Sequence, residues 1–375
     1  MKLTIERAPL LKSLGYVQSV VERRTTIPIL SNVRLEARDG ELLLTATDMD
    51  LTLVSREAAE ISEPGTTTVA AHTLYEIVRR LAEGAIVELE QASGSADLNL
   101  RSGRSSFVLP SLPADEFPAM NEEDLGVSFE LSAQVLRKLL DKTRFAMSSE
   151  ETRYYLNGVH LHATRGDGAA ATLRAVATDG HRLARVETPL PEGAKGIPPV
   201  IVPKKTVGEA RRLLEALDQD AQVGIALSPS RIRFQIGTTV LVSRLIDGVF
   251  PDYERVIPQA NDKAALVDAK AFAVAIDRVS TVATDKVRAV KLGFSEGRVL
   301  ASAVSAEAGR AQDEVDCELS GGEIEIGFNA RYVLDITQQV EGDQIRLEMA
   351  SPASPTLIRD PEDVATIYVL MPMRV

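Results

Sequence analysis

The sequence predicts an α+β protein made of three copies of one domain, each with two helices packed on sheet. Three observations predict it. The 375 residues are too many for one ordinary core and suit about two to four domains. A strand running straight into an amphipathic helix recurs at 3–21, 127–147 and 265–283, and a second such unit recurs at 66–81, 198–214 and 322–340. A third pattern, "ILSNVRLEA" (29–37), "YLNGVHLHA" (155–163) and "KVRAVKLGF" (286–294), recurs at near-constant spacing: Val33, Val159 and Val290 lie 126 and 131 residues apart.

The first strand–helix unit is clearest in the middle copy, "VSFELSAQVLRKLLDKTRFAM", where Val135, Leu136, Leu139, Leu140 and Phe145 share one helical face and Ser132 is placed to cap it. An Ala-Thr-Asp strand end follows in two copies, at 46–48 and 177–179, and the third is the divergent stretch 300–315. The copies close on similar punctuation, Phe117-Pro118, Phe250-Pro251 and Met371-Pro372. The stretches 112–126 and 248–263, rich in proline and acids, read as linkers. The expected domains are 1–123, 127–257 and 260–375.

Composition narrows the function. At 45% hydrophobic but 4% aromatic, with no tryptophan, the cores must be aliphatic. The one cysteine, Cys317, cannot make an internal disulfide, reads as a small buried residue and fits a reducing compartment. The N-terminus lacks a signal-like apolar region, and no run approaches the ~18 residues of a membrane span, so a cytoplasmic protein without a membrane partner is expected. A net charge of −12 argues against a simple basic nucleic-acid binder.

The stretch "AVATDGHRLARVE" (175–187) crowds Asp179, His181 and Arg182 around Gly180. An acid–base or metal-assisted hydrolase using the Asp179/His181 region is therefore the alternative function. Against it, "LTATDMDLTLV" (44–54) keeps the Ala-Thr-Asp core without the histidine or arginine, and a pattern that survives without its chemistry is architecture. No serine or cysteine motif supplies a nucleophile. His160 and His162 share a strand face, but no third ligand completes a metal set, and no glycine-rich phosphate loop appears. No catalytic residue, metal or cofactor is expected.

Several stretches together resemble the bacterial DNA polymerase III beta subunit family, the replication sliding clamps. They are "RTTIPILSNVRLE" (24–36), "RSGRSSFVLPSLPADEFP" (101–118), "RYYLNGVHL" (153–161), "ATDGHRLA" (177–184), "FPDYERVIP" (250–258) and "MPMRV" (371–375). The likeness spans the whole chain. It implies clamp-fold domains of two helices on antiparallel sheet, and two chains closing head to tail into a six-domain ring around duplex DNA. The implied function is that of a processivity factor without sequence specificity. Its implied partners are a second copy of itself, the polymerase III alpha subunit, the clamp-loader complex, and other polymerases and repair proteins carrying short apolar peptides.

The charge pattern agrees. The helical segments 8–21, 72–81, 132–147, 204–217, 268–283 and 329–340 sum to +7, which leaves −19 on the rest of the chain. Basic helices facing phosphates and an acidic exterior suit a DNA-threading ring. The helical cations Arg79, Arg80, Arg137, Lys138, Lys204 and Lys205 are candidate DNA contacts. The resemblance adds Arg24, Tyr154 and Tyr155. His72 stands where the family often has arginine, and Glu150 where a polar uncharged residue is common.

For a peptide-binding cleft, the resemblance implies Leu156, Thr178, Gly180, His181, Arg182, Leu183, Pro251, Arg255, Val256, Val369, Met371, Pro372, Met373 and Arg374. Methionine offers an adaptable apolar wall, and His181 and Arg182 are expected to flank a peptide with polar tips. The apolar end "YVLMPMRV" is expected to dock as a strand. For the dimer interface, the resemblance implies Phe107 and Leu109 meeting Thr281 and Val282 across chains, with Thr281 more polar than the isoleucine common there.

Overall fold

The computed structural model describes residues 1–22, 25–118, 125–164, 170–283 and 288–375. Among these, every α-helix starts where a strand ends. Lys2–Glu6 runs into α1 (Arg7–Val20), Gly65–Ala70 into α2 (Ala71–Arg80), and Val127–Ser132 into α3 (Ala133–Arg144). Val200–Pro203 runs into α4 (Lys204–Leu214), Lys263–Asp268 into α5 (Ala269–Ser280), and Ile324–Asn329 into α6 (Ala330–Thr337). The same strand–helix junction is thus made twice in each of three repeats.

The junctions follow from a change of period. In α2 the buried residues are Ala71, Leu74 and Val78, and in α5 they include Phe272, Ile276 and Val279, spaced for one helical face. The preceding strands alternate instead, as in the buried Leu3 and Ile5. Side chains sharpen two of the turns. Asp268 accepts from the Ala271 amide at 2.7 Å, and Asn329 accepts from the amides of Arg331 and Tyr332.

The chain forms two compact units. The first comprises 1–134, 192–197 and 208–245. It holds a five-stranded antiparallel sheet whose outer strand is Ser105–Pro110, and an eight-stranded antiparallel sheet. In the larger sheet Thr239–Arg244 pairs with Leu51–Ala58, register Leu241↔Leu53, which joins strands from two repeats. Arg212 reinforces this unit by donating to the carbonyls of Gly15 and Tyr16 in α1.

The second unit comprises 135–191, 198–207 and 246–375 and carries a twelve-stranded antiparallel sheet. Strands from two repeats are joined in it by Arg182–Pro189 against Thr366–Leu370, with Arg182↔Leu370 and Leu183↔Val369 in register. That pairing brings the "TDGHRL" segment against the chain end. Cys317 is buried, and burial pushes its thiol pKa up, away from reactivity. Among the described residues no helix is long and apolar enough to cross a membrane.

Candidate functional site

The "TDGHRL" turn is built by its threonine and aspartate. Thr178 Oγ1 accepts from the Gly180 amide at 3.1 Å and donates to the Arg182 carbonyl at 2.7 Å. Asp179 Oδ1 accepts from the amides of His181 and Arg182 at 2.9 and 3.0 Å. The earlier copy makes the same turn: Thr47 Oγ1 accepts from Met49 and donates to the Leu51 carbonyl, while Asp48 Oδ1 accepts from Asp50 and Leu51. Even the left-handed residue recurs, at φ 81° for Met49 and 89° for Gly180. The Thr-Asp pair is therefore an architectural device, and Asp179 is committed to it.

Gly180 also leaves room for Arg153: a Cβ there would stand 2.6 Å from Arg153 Nη1, and the arginine tip would have to shift. Arg153 in turn donates to Glu150 through Nε at 2.8 Å and Nη2 at 2.5 Å, which holds the Glu150 carboxyl below its usual pKa range. The charge that Glu150 introduces at a candidate DNA contact is thus answered locally.

Beneath the turn lies an aliphatic core. Leu156, Leu183 and Val369 pack with Val176, Ile201, Phe250, Tyr253, Ile257, Leu357 and Ile367. The outer residues stay accessible: Gly180, His181, Pro251, Arg255, Val256, Met371 and Arg374 are exposed, and Pro372 and Met373 half-buried. The chain end is held by backbone hydrogen bonds, Met371 N to the His181 carbonyl and Met373 N to the Gly327 carbonyl, each 2.9 Å. A Cβ on Gly327 would come within 2.5 Å of the Met373 carbonyl, so the tail needs glycine there. The surface formed over this core is edged by Met371 and Met373 and carries the exposed cations Arg255 and Arg374.

Arg182 differs from the expected peptide-flanking tip. Its side chain is only 9% exposed. The guanidinium donates to Asp179 Oδ2 (3.1 Å), Asp335 Oδ2 (2.5 Å) and the Phe145 carbonyl (2.7 Å). It also lies 4.4 Å from the centroid of Tyr332, on which His181 stacks. Tyr332 and Asp335 were missed from sequence. Their signal was available in α6, where positions three apart face one side, but nothing local points that side at residue 182.

The segment that supplies Pro251, Arg255 and Val256 rests on an aromatic column. His160 stacks on Phe250 at 4.6 Å and on His162 at 4.8 Å. A ring nitrogen of His162 lies 3.0 Å from the Tyr253 hydroxyl, which also accepts from Arg174 at 3.2 Å. His162 Nδ1 faces the Ala163 carbonyl at 3.3 Å, an arrangement that suits the neutral ring with Tyr253 donating to Nε2. Burial pushes both histidines toward the neutral form, His160 to about 4 from 6.5. Unfolded His160 takes its proton near pH 6.5 while folded His160 refuses it until about pH 4, so stability is full above 6.5 and falls between those values. The drop at pH 4 is expected to reach about 2–3 kcal/mol, reduced by the partial exposure of the ring. Urea midpoints at pH 7 and pH 4.5 measure it. His160→Phe, which keeps the stack, should flatten that slope.

Several of the candidate DNA contacts are engaged within the chain itself. Arg24 lies outside the described residues. Arg79 and Arg80 both pair with Glu76, Lys138 with Asp363 at 2.8 Å, and Lys204 donates to Ser149. Lys142, counted among the helical charges, is buried and pairs with Glu341. His72 bonds Gln18 at 2.8 Å, Arg137 is half-buried, and Lys205 is exposed. Tyr154, 53% exposed, meets Tyr155 edge to face at 5.8 Å. The helical charge is thus partly neutralised by its own neighbours.

Of the expected interface residues, Phe107 is half-buried and Leu109 buried on the outer strand Ser105–Pro110, where the unexpected Val108 is 62% exposed. A groove of about 480 Å³ runs beside that strand, lined by His72, Ile77 and Phe107 among others. Thr281 is exposed and Val282 half-buried after α5.

A tripled strand–helix unit, an accessible methionine-edged surface and an aspartate spent on turn geometry describe a surface suited to binding. Residues 1–121, 130–252 and 254–374 match, in that order, the N-terminal, central and C-terminal domains of the DNA polymerase III beta subunit. The chain is 52% identical to the beta sliding clamp of Caulobacter vibrioides, with all of both chains covered. It superposes on a crystal structure of the C. crescentus beta sliding clamp with a TM-score of 0.96 at 52% identity, covering 100% of this chain and 99% of that one. It also superposes on the Bartonella birtlesii sliding clamp bound to griselimycin, with a TM-score of 0.96 at 44% identity and full coverage of both. The chain belongs to the DNA polymerase III beta subunit family, the bacterial sliding clamps. It is a non-catalytic processivity subunit with three clamp domains, and the hydrolase alternative finds no support.

Proposed function

We propose that two copies of this chain close head to tail into a ring around duplex DNA, and that the cleft holds a short apolar segment of whichever protein the ring tethers. The partners on this reading are the polymerase III alpha subunit, the clamp loader, and other polymerases and repair proteins, met in the cytoplasm. The domains are taken as 1–123, 127–257 and 260–375. The observation that carries the peptide role is the accessible, methionine-edged surface of Met371 and Met373 beside the exposed His181, laid over the buried Leu183 and Val369 and fixed by backbone hydrogen bonds to residues 181 and 327.

The outer strand Ser105–Pro110 supports ring closure. It leaves unpaired backbone and an exposed Val108 at the end of its sheet. Such an edge invites another strand, and a closed ring satisfies it. Phe107 and Leu109 would then face the partner's Thr281 and the partner's Val282. Sedimentation at micromolar concentration should give a dimer, and a strict monomer would remove the ring. Phe107→Asp places an unpaired charge in that contact and should shift the dimer to monomer by several kcal/mol of association, with far-ultraviolet circular dichroism unchanged.

A further inference from the structure

We propose that Asp335 is a positioning residue of the peptide cleft, acting through Arg182 on the plate formed by Tyr332 and His181. The proposal rests on the peptide-binding reading above. Asp335 sits on α6, five residues after the helix starts at Ala330 and 153 residues from Arg182. Its carboxylate takes Arg182 Nη1, while Asp179 takes Nε and the Phe145 carbonyl takes Nη2. All three faces of the guanidinium are therefore fixed, and the two carboxylates come from different elements.

That fixing has a consequence at the cleft surface. The guanidinium carbon lies 4.4 Å from the Tyr332 ring centroid and 5.2 Å from that of Phe145. His181 stacks on Tyr332 at 6.2 Å, with planes 23° apart. Tyr332 is half-buried and His181 exposed, while Arg182 is buried between its two partly buried carboxylates, so the order from inside to outside is the guanidinium with its carboxylates, then the phenol ring, then the imidazole. Each layer rests on the one beneath. Two carboxylates also outweigh one guanidinium, so Arg182 offers no free positive charge to a ligand. Its task is to hold an aromatic wall still, and a wall held in one rotamer loses less entropy when a peptide seats against it.

Removing Asp335 would leave Arg182 with one carboxylate in a buried position, where a lost partner is costly. The guanidinium is then expected to swing toward Asp179 or solvent and release Tyr332. Asp335→Asn keeps an oxygen acceptor for Nη1 and should preserve most of the arrangement.

The test uses the full chain and a fluorescein-labelled pentapeptide with three leucine anchors, read by anisotropy. Binding by the wild type tests the cleft reading itself, and failure there overturns that reading before any variant is compared. Given wild-type binding, Asp335→Ala should weaken it tenfold or more, and Asp335→Asn by no more than about threefold. Sedimentation mass and circular dichroism should match the wild type. The decisive comparison is in a Tyr332→Ala background, where Asp335→Ala should cost less than about twofold more, because the layer it positions is gone. Wild-type affinity in Asp335→Ala overturns the proposal. So does the same fold-loss in both backgrounds, which marks a general structural role. If Asp335→Ala fails to fold, the Asn variant decides the matter: a loss as large as tenfold with the fold intact would overturn the positioning role of the acceptor oxygen.

Discussion

Deletion of residues 371–375 is expected to abolish peptide binding while leaving the chain's self-association intact. An apolar pentapeptide in such a cleft should bind at roughly micromolar strength, about −8 kcal/mol. The deleted tail supplies Met371, Pro372 and Met373, the side of the cleft that no other strand replaces. Losing roughly 150–200 Å² of apolar contact with the ligand forfeits about 4–5 kcal/mol, which moves a micromolar complex into the millimolar range. The fold should tolerate the loss. The tail is held outside the strand ladder by two backbone hydrogen bonds and one isolated bridge, Gly327 to Met373, while the strand Thr366–Leu370 that precedes it stays paired on both sides. The proposed association residues Phe107, Leu109, Thr281 and Val282 all lie outside the deleted stretch. Anisotropy with a labelled peptide and sedimentation of the same sample separate the two properties. Unchanged affinity would place the peptide elsewhere.

The elements were legible in the sequence because they are written in local patterns. The repeat units at 127–147 and 265–283 became strand plus α3 and strand plus α5, since the switch from alternating to helical spacing is carried by neighbours such as Val135, Leu136 and Leu139. The Thr-Asp turn was legible too, because its hydrogen bonds run only two to four residues along the chain. The wider pairing was not. Nothing near Leu53 says that Leu241 will lie beside it, because register between repeats is decided by two preformed sheets meeting.

The same limit governs the site. Arg182 was read as a polar tip on an apolar body, which is how an isolated arginine on a strand end behaves. Its burial depends on Asp335, a partner 153 residues away. In the sequence, alternation places His160 and His162 on one strand face and says nothing of what covers it. Phe250 and Tyr253, some 90 residues on, turn that face into an aromatic column. Charge counting suffered likewise. Lys138 and Lys142 add to a helical total in the sequence, but Asp363 and Glu341 claim them in the fold.

Retention on DNA is expected to depend on whether the DNA has ends. Direct contact should be weak. The helical segments carry +7, but the cations at Arg79, Arg80, Lys138 and Lys142 are already paired with carboxylates of the chain. With so much of the helical charge paired inside the chain, phosphate contacts are few, so direct affinity is low and falls with salt in proportion to their number. Tyr154, exposed as it is, would on the proposed reading add a contact that holds no sequence information. A closed ring on a circle needs none of this strength, because it cannot leave without opening. The protein is loaded onto nicked circular DNA by a clamp loader with ATP, freed of excess, and followed as the circle is cut. Retention in moderate salt should persist on the circle and fall at least tenfold after linearisation, as rings run off the ends. Reversing charge at Arg24 and Arg137 should weaken loading and direct binding far more than retention on the intact circle, since only loading and direct binding draw on contact energy. Equal retention on circular and linear DNA would mean that the protein holds DNA by contact, and the ring would have to be abandoned.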